Sequence, residues 1–471
     1  MQENIQTRKL LMLGPLFFLT LHIILIAVFN LQFIFFREDA WQNIPKFELG
    51  IDSLLKIFLF HSQPPGFNLL LLIIDQFGSY SEIIFHLIYI FGTCLCVWML
   101  ADTIDHWTGS RKLAISASIF YAILPGTHLY SMWGFNTQLV AILTMLCVWS
   151  FTIGNLKKNT HYFILCGFSI LMIFLVRATF IWFIAIFYLI IVLLSIFSVR
   201  KKNTIIPIFF NLLFVLLITL LTLKNLLFFS ISSQSSWASE NFAKMLIYSI
   251  SQEEIKIMTQ KNPCYKELMH IGVFQDVRNY PLCTTGAIQS QFNPPKNMIL
   301  DNYVFSNGML NYNHKSRLVL EKQWHHFNFE LVALNPKILF RGLFPSFTEE
   351  RRGSLVQFLW PNTDYKFIEA NTEKLGVIGV VWMLLLSPQP FLSVFLVLWF
   401  VYMIIQKKIP RKYLPFSFLF ALSIILFFSI AYLFLEIGEN QRYRTEIDPI
   451  LIACSAVAIF RIKEGYNLKK I

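Results

Sequence analysis

Charged residues are scarce in this chain. Asp, Glu, Lys and Arg make up only 14% of the 471 residues, whereas 56% are hydrophobic and the mean hydropathy is +0.58. A soluble globular domain carries about 25% charged residues. The shortage of charge therefore excludes an ordinary soluble protein and places the chain in lipid.

Acidic residues are scarcer than basic ones. The chain has 27 Asp and Glu against 39 Lys and Arg, which gives a net charge of +12. Such a balance can indicate nucleic-acid binding, but here Lys and Arg stand in short clusters between apolar runs. In that position they set the orientation in the membrane and meet anionic headgroups. We expect membrane lipid as a partner and no nucleic acid. The oligomeric state is not determined by the sequence.

Cysteine is nearly absent outside the apolar runs. Only Cys264 and Cys283 lie in a long polar segment, and neither belongs to a CxxC pair, which disfavours a metal site. Two cysteines that face an oxidising compartment are well placed to form a disulfide, so we name them as disulfide candidates. The sequence also lacks internal repeats and inverted pairs of Gly- or Pro-broken helices, which disfavours a transporter.

Long apolar runs dominate what is present. The first run is too long for a signal-peptide core and lacks a small-residue cleavage site, so we interpret it as a retained helix. The sequence predicts an all-α polytopic membrane protein with transmembrane modules at 1–229 and 372–471 and an extracytoplasmic mixed domain at 230–371. The ten predicted spans are residues 10–36, 81–104, 113–129, 135–153, 162–176, 180–197, 205–229, 391–405, 413–435 and 447–460.

The basic clusters orient these spans. If the N-terminus is cytoplasmic, the clusters at 111–112, 157–158 and 200–202 all fall on the cytoplasmic side. The run at 375–386 has about twelve residues, too few to cross, and we interpret it as re-entrant or interfacial. Its exclusion keeps the basic turn at 407–412 and the C-terminus in the cytoplasm. The seven spans before residue 230 place 230–371 on the outer face.

An acidic pair follows the first span directly. The first outer loop, residues 37–80, begins with Arg37-Glu38-Asp39-Ala40-Trp41, which puts Glu38 and Asp39 at the membrane surface. A carboxylate at this boundary is a candidate general base. The alternative is that the two acids only end the helix in water.

The same loop contains a second polar group ahead of Pro64-Pro65, where a new apolar helix starts. His61 and Gln63 stand just before these prolines and are candidates for positioning a substrate. A lone interfacial histidine is more often structural, and that alternative stays open for His61.

Four cations stand at the outer ends of predicted spans. Arg177 and Lys224 lie where a charge is costly unless it meets a phosphate, a carboxylate or water, although simple snorkelling also explains Lys224. Arg442 and Arg444 flank Tyr443 ahead of the last span. Two arginines this close are suited to binding a phosphate. Arginines that only orient a membrane protein lie on the cytoplasmic side, so the outer position of this pair indicates a function.

Taken in order, the acidic pair, the His and Pro-Pro before a helix, Arg177 and the terminal Arg-Tyr-Arg resemble the GT-C glycosyltransferases. Within them the chain looks most like the protein O-mannosyltransferase and aminoarabinose transferase group. It departs from that pattern at Ser62-Gln63, which stand between His61 and the prolines.

The resemblance implies transfer of a sugar from a polyprenyl-phosphate carrier to a protein, lipid or glycan acceptor, with inversion. It makes Asp39 the base, with Glu38 beside it. From their positions at the outer face we predict Arg442, Arg444, Arg177 and Lys224 as the ligands of the donor phosphate. Tyr443 joins His61 and Gln63 in positioning the substrate. No cofactor is expected beyond the lipid-linked donor, although a divalent metal is not excluded.

The implied location is a bacterial inner membrane, with the active site facing the periplasm. Two other functions remain open on the sequence: a polymerase or ligase of polyprenyl-diphosphate-linked glycans, and a transporter of lipid or solute. The acidic pair after the first span disfavours the former, and the clustering of charge on one face disfavours the latter. The sugar and the acceptor are not specified by the sequence.

Overall fold

The computed structural model is almost entirely α-helical. Among the residues that the structure describes, the one extended feature is a bridge between Ile34 and Trp133. Helices are expected where apolar runs meet lipid, because a helix pairs all its backbone polar groups internally. The structure describes residues 9–35, 44, 53–60, 63–178, 180, 182–199, 204–229, 235, 237–247, 249–273, 314–341, 358–359, 369–386, 388–406, 415–435 and 440–468.

The helices of range 1–229 share one large apolar core with the C-terminal helices, which contribute residues such as Phe400, Phe428 and Leu451. Helix α3 starts at Pro65, the first helical position, where the missing N–H costs nothing. The helices are α1 (Leu13–Phe29), α2 (Ser53–Leu59), α3 (Pro65–Asp75), α4 (Ser81–Thr108), α5 (Arg111–Ile123), α6 (Pro125–Ser131), α7 (Asn136–Lys157), α8 (His161–Val176), α9 (Trp182–Ser198) and α10 (Ile205–Phe229).

Range 230–371 contains only helices among its described residues: α11 (Ala238–Ile247), α12 (Gln252–Lys261), α13 (Cys264–Ile271), α14 (His314–Leu334) and α15 (Ile338–Arg341). They enclose a separate apolar core around Leu246, Leu268, Trp324 and Phe327. The mixed composition predicted for this domain is not seen in the part that the structure describes.

The C-terminal module consists of α16 (Glu369–Leu386), α17 (Gln389–Ile405), α18 (Phe416–Leu435), α19 (Asn440–Thr445) and α20 (Asp448–Leu468). Residues 375–386 belong to α16, and the stretch Asn371–Ile405, which contains most of α16 and all of α17, is a candidate span of 35 residues. The interpretation of 375–386 as a re-entrant or interfacial segment stays a prediction.

The protein is a polytopic membrane protein. Within the described residues, five helices are long and apolar enough to cross a bilayer: Gly78–Thr108, Asn136–Lys157, Ile205–Phe229, Asn371–Ile405 and Phe416–Leu433. The pair α5 and α6, bent by 57°, makes a sixth if it is one span. Helices α1, α8 and α9 are apolar but have 17 residues or fewer. The count of ten spans therefore stays a prediction.

The bend between α5 and α6 is stabilised by side-chain donors. Because Pro125 has no N–H, the carbonyls before it lose helical partners. Thr127 Oγ1 donates to the carbonyl of Tyr121 at 2.9 Å, His128 Nε2 to that of Ala122 at 2.7 Å, and Trp382 Nε1 to that of Ile123 at 2.9 Å. The carbonyls of Ala122 and Ile123 thus have side-chain donors, and that of Tyr121 accepts from Thr127 in addition to the Leu124 N–H.

A chain of histidines continues from this bend. Since His128 Nε2 donates to a carbonyl, its Nδ1 accepts from His22 Nδ1 at 3.2 Å when the rings are neutral. His22 Nε2 then accepts from His86 Nε2 at 3.3 Å. The chain links α1, α4 and α6, and it gives the buried rings of His22 and His128 polar partners.

This bend predicts a stability effect. His128→Phe should lower the free energy of unfolding by about 1–3 kcal/mol, because the carbonyl of Ala122 loses its donor in an apolar setting. Trp382→Phe should have a smaller effect of the same sign, since only one N–H is lost. Thermal unfolding in detergent measures both, with His106→Phe at an exposed position as control. Equal midpoints for His128→Phe and His106→Phe would contradict this role.

The helices of range 230–371 are held by a buried carboxylate outside the membrane-spanning segments. Glu254 completes a capping box with Ser251 at the start of α12. Arg341 of α15 donates to both Glu254 oxygens at 2.8 Å, and Asn335 donates at 2.7 Å. Burial raises the pKa of Glu254, but these hydrogen bonds outweigh it and lower the pKa to about 2.

Acid should therefore loosen this domain. A depressed pKa contributes stability above the ordinary value near 4.5, and the contribution is lost as the pH falls from there toward 2. The emission of tryptophan, including the buried Trp324 of this core, should shift in that window, and Glu254→Gln should remove the response. Glu253→Gln, at an exposed neighbour, is the matched control. A transition unchanged in Glu254→Gln would contradict the assignment.

Candidate functional site

The chain leaves α1 toward the acidic pair along a fixed path. Ile34 N donates to the carbonyl of Met132 at 2.7 Å, and Gly134 N donates to the carbonyl of Ile34 at 2.9 Å. A side chain at Gly134 would come within 2.9 Å of the Phe35 ring, so the close approach favours glycine. The residues just before the acidic pair are therefore bonded to the turn that follows α6.

The other end of the acidic segment is also anchored. Ile44 N donates to Asn68 Oδ1 of α3 at 2.8 Å, and both residues are buried. The Ile44 side chain packs in a small apolar cluster with Ile57, Phe60 and Trp237. This cluster joins the first outer loop to the start of range 230–371. Glu38, Asp39 and His61 lie outside the described residues.

Lys224 acts locally as a cap. Its Nζ donates to the carbonyl of Phe58 at 2.7 Å and to that of Phe60 at 3.4 Å, at the C-terminal end of α2, where a helix presents unpaired carbonyls and negative partial charge. The ammonium group also faces the rings of Phe58 and Phe229. Lys224 therefore stabilises the end of α2, just before His61 and Gln63 in the sequence.

Arg177 forms a buried ion pair and also contacts an aromatic ring. Its guanidinium is 3.2 Å from Glu446 Oε1 and lies 4.2 Å from the centre of the Tyr443 ring. Tyr432 OH donates to the same carboxylate, and Thr144 Oγ1 donates to the Glu446 carbonyl at 2.8 Å. Tyr443, predicted to position substrate, is buried here and stacks on Tyr432.

Arg444 forms the second buried pair. Its Nε is 3.3 Å from Asp448 Oδ1, and its Nη1 donates to the carbonyl of Phe358 at 2.7 Å. Only 1% of Arg444 is exposed. Asp448 begins α20, where a carboxylate is favoured by the helix dipole. Arg442 belongs to α19, but its side chain is outside the described set.

A small cleft lies beside Arg444, with about 30 Å³ of space that a water-sized molecule can occupy. Its polar walls are Thr127, Gln389, Arg444, Thr445 and Asp448, and the α5–α6 bend with Met383, Leu386 and Pro390 closes it. Helix α6 therefore runs between two features: the cleft touches its first residues, and its end meets the segment that leads to Glu38 and Asp39.

Comparisons with known proteins do not assign a family. No protein-family model and no curated protein matches the chain. Among solved structures, an archaeal oligosaccharyltransferase AglB from Archaeoglobus fulgidus, in complex with an inhibitory peptide and a dolichol-phosphate, is 12% identical with a TM-score of 0.41. The alignment covers 99% of this chain and 51% of that one, so this chain spans about half of its length.

The structure brings two of the predicted phosphate ligands into the same region. Arg177 and Arg444 converge on the α18–α20 region, where Glu446 and Asp448 balance their charges, whereas Lys224 caps α2. A phosphate could bind the two arginines only if they exchanged carboxylate partners. Phosphate binding by these residues stays a prediction, as does substrate positioning by Gln63, which lies in the bend before Pro64.

Sequence reasoning missed the acidic partners. Glu446 and Asp448 stand in the same run as the arginines, and Arg444 and Asp448 have the i, i+4 spacing of a helical pair. That spacing was the available signal. The pairing of Arg177 with Glu446 had none, because 269 positions separate the two along the chain.

Two further predictions concern a disulfide and a metal site. Cys264 starts α13, but Cys283 lies outside the described residues, so the disulfide stays a prediction. Within the described part of the chain, no group of three His, Cys, Asp or Glu side chains is arranged to hold a metal ion. The acidic pair is not in that part, and metal independence also stays a prediction.

Substitutions of Arg177 and Glu446 should have non-additive effects on the free energy of unfolding. Arg177→Met alone should destabilise the protein by about 3–5 kcal/mol, because it leaves a buried carboxylate without its cation, and Glu446→Gln should act similarly. The double variant should cost clearly less than the sum of the two. Thermal unfolding of the four proteins measures this cycle. Additive effects would mean that the two groups do not stabilise each other.

Proposed function

We propose that the protein is a glycosyltransferase that moves a sugar from a polyprenyl-phosphate carrier to a protein, lipid or glycan acceptor on the outer face of the membrane. The observation that carries this proposal is the position of α6. Its seven residues rise about 1.5 Å each, so about 10 Å separates the cleft at Arg444 from the anchor of the acidic segment. A sugar linked to a phosphate has a comparable length.

The acidic pair has a limited reach from this anchor. Glu38 and Asp39 follow Phe35 by three and four residues, and a chain extends at most about 3.6 Å per residue, which gives about 14 Å. A carboxylate at this distance from the turn after α6 can serve the reaction as a base. Asp39 would take the proton of the acceptor hydroxyl or amine, with Glu38 beside it.

The bonds change in one displacement. The deprotonated acceptor attacks the anomeric carbon as the bond from that carbon to the phosphate oxygen breaks, so the configuration inverts and the carrier leaves as polyprenyl phosphate. Cations must stabilise the charge that develops on this phosphate. We assign this role to Arg442 first, with Arg444, Arg177 and Lys224 contributing, and we assign donor positioning to Tyr443, His61 and Gln63.

No cofactor beyond the donor lipid enters this reaction. The orientation that fits it is the one that the basic clusters favour, with both termini in the cytoplasm of a bacterium and the site in the periplasm. Residues 230–371 would then cover the site from outside.

Variants of the base and of the phosphate ligand test the proposal. Asp39→Asn should reduce transfer by about 100- to 10,000-fold and Arg442→Ala by about 100- to 1,000-fold, as losses of a general base and of a charge-stabilising donor do elsewhere. Release of sugar from the lipid carrier in membranes is the measurement, with Asp105→Asn near the predicted cytoplasmic end of α4 as control.

The donor class needs its own measurement. Mass spectrometry of lipid that co-purifies with the wild type should detect a polyprenyl monophosphate sugar. A diphosphate-linked glycan would point to a polymerase or ligase instead. Full activity in both Asp39→Asn and Arg442→Ala would overturn the assignment of the site.

A further inference from the structure

Asp102 places a carboxylate at the edge of a membrane span. It lies on α4, inside the candidate span Gly78–Thr108. Between Glu82 and Asp102 the helix has 19 residues without Asp, Glu, Lys or Arg. At a rise of about 1.5 Å per residue this stretch is about 28 Å long, close to the thickness of the hydrocarbon core. Asp102 therefore lies where hydrocarbon meets headgroups, and a carboxylate there needs a partner.

The protein supplies this carboxylate with few partners. Trp149 Nε1 of α7 donates to Asp102 Oδ2 at 2.8 Å, and His106 Nε2 lies 3.7 Å from the same oxygen. Among the described residues, no lysine or arginine comes within 4.0 Å of the carboxylate. The Asp102 side chain is 11% exposed, so a ligand can reach it from outside the bundle. Asp102 thus offers a negative charge that no described lysine or arginine balances.

A lipid-facing stripe on α4 leads to this carboxylate. Phe91, Leu95, Trp98 and Asp102 follow one another at intervals of three or four residues, so they share one face of the helix. Phe91 and Leu95 are exposed on the surface of the bundle, and Trp98 is partly exposed. The apolar part of the stripe is suited to contact acyl chains, and its polar end is suited to contact a headgroup.

Aromatic rings line the approach to Asp102. Trp98 and Trp149 pack with their ring centres 5.3 Å apart, and Tyr162 of α8 meets Trp149 edge-on at 5.7 Å. Lys157 Nζ lies 6.0 Å from the centre of the Tyr162 ring. Trp and Tyr are common at membrane interfaces, which explains the rings but not a carboxylate among them. A row of rings with a carboxylate and an ammonium beside it complements a headgroup that carries both charges.

We propose that Asp102, Trp98 and Trp149 form a binding site for phosphatidylethanolamine, in the leaflet at this end of α4. The primary ammonium group of the lipid donates N–H bonds to the Asp102 carboxylate and lies against the tryptophan rings. Its phosphate faces Lys157, and an acyl chain follows the apolar part of the stripe. A trimethylated headgroup fits less well, because it has no N–H to donate. The site is separate from the groups assigned to sugar transfer, and it does not depend on that function.

A series of headgroups tests the site on the unaltered protein. The full chain is purified in detergent, stripped of lipid and titrated with phosphatidylethanolamine and its mono-, di- and trimethylated derivatives, all with the same acyl chains. Native mass spectrometry measures the bound lipid. The apparent affinity should fall along the series, by about tenfold from first to last, because N–H bonds to a charged group are lost. Phosphatidylglycerol should also bind more weakly than phosphatidylethanolamine.

Three results of this series would overturn the proposal. Equal affinity for all four headgroups would mean that the ammonium N–H groups are not recognised. Tighter binding of the trimethylated lipid would indicate recognition by the rings alone. Tighter binding of phosphatidylglycerol would indicate a site for anionic lipid.

Variants assign the preference to this carboxylate. Asp102→Asn keeps an oxygen for the Trp149 N–H and removes the charge, so it should fold and lose the preference for phosphatidylethanolamine over the trimethylated lipid. Glu82→Gln, at an exposed carboxylate near the other end of α4, is the matched control and should keep it. Trp98→Leu should weaken binding of all four lipids, whereas Trp182→Leu at an exposed position should not. Wild-type affinity and preference in either Asp102→Asn or Trp98→Leu would overturn the site.

Discussion

The structure depends on one constraint: in lipid, every backbone N–H and C=O needs a partner inside the protein. A continuous helix meets this requirement alone, and most of the described chain is helical for that reason. The informative places are those where the helix stops. At the α5–α6 bend, three side chains from two parts of the sequence pair the carbonyls of Tyr121, Ala122 and Ile123.

The same constraint shapes the approach to the acidic pair. Residues 31–35 leave α1 without regular structure, and their polar groups are paired by Asn371 on one side and by the turn at 132–134 on the other. The pairing that satisfies the backbone also fixes where the chain goes. Residues 31–35 are thus held in one geometry by partners on both sides, so that fixing them when a ligand binds costs little further entropy.

The sequence predicted the features that depend on local composition. Apolar length gave the helices, and Pro64-Pro65 correctly marked the start of α3. The interpretation of the short run at 375–386 as re-entrant or interfacial stays a prediction, because the candidate span Asn371–Ile405 is defined by length and composition only. The partners of Arg177 and Arg444 were missed because burial in an ion pair is a property of the folded chain. A cation at the outer end of a helix looks the same in sequence whether it meets a carboxylate or a phosphate.

The buried ion pairs are compatible with the proposed binding of a phosphate once their net charge is considered. Arg177 and Arg444 with Glu446 and Asp448 carry no net charge, so this group alone would not attract a phosphate strongly. It is suited instead to hold α19 rigidly against α7 and α20, which fixes the backbone on which Arg442 stands between Gln441 and Tyr443. A cation on a rigid element stabilises a developing charge better than one on a mobile loop, because it need not reorganise during the reaction. In the reaction that we propose, Arg442 would supply the excess positive charge, and the buried pairs would hold its helix in place while Arg444 and Arg177 contribute.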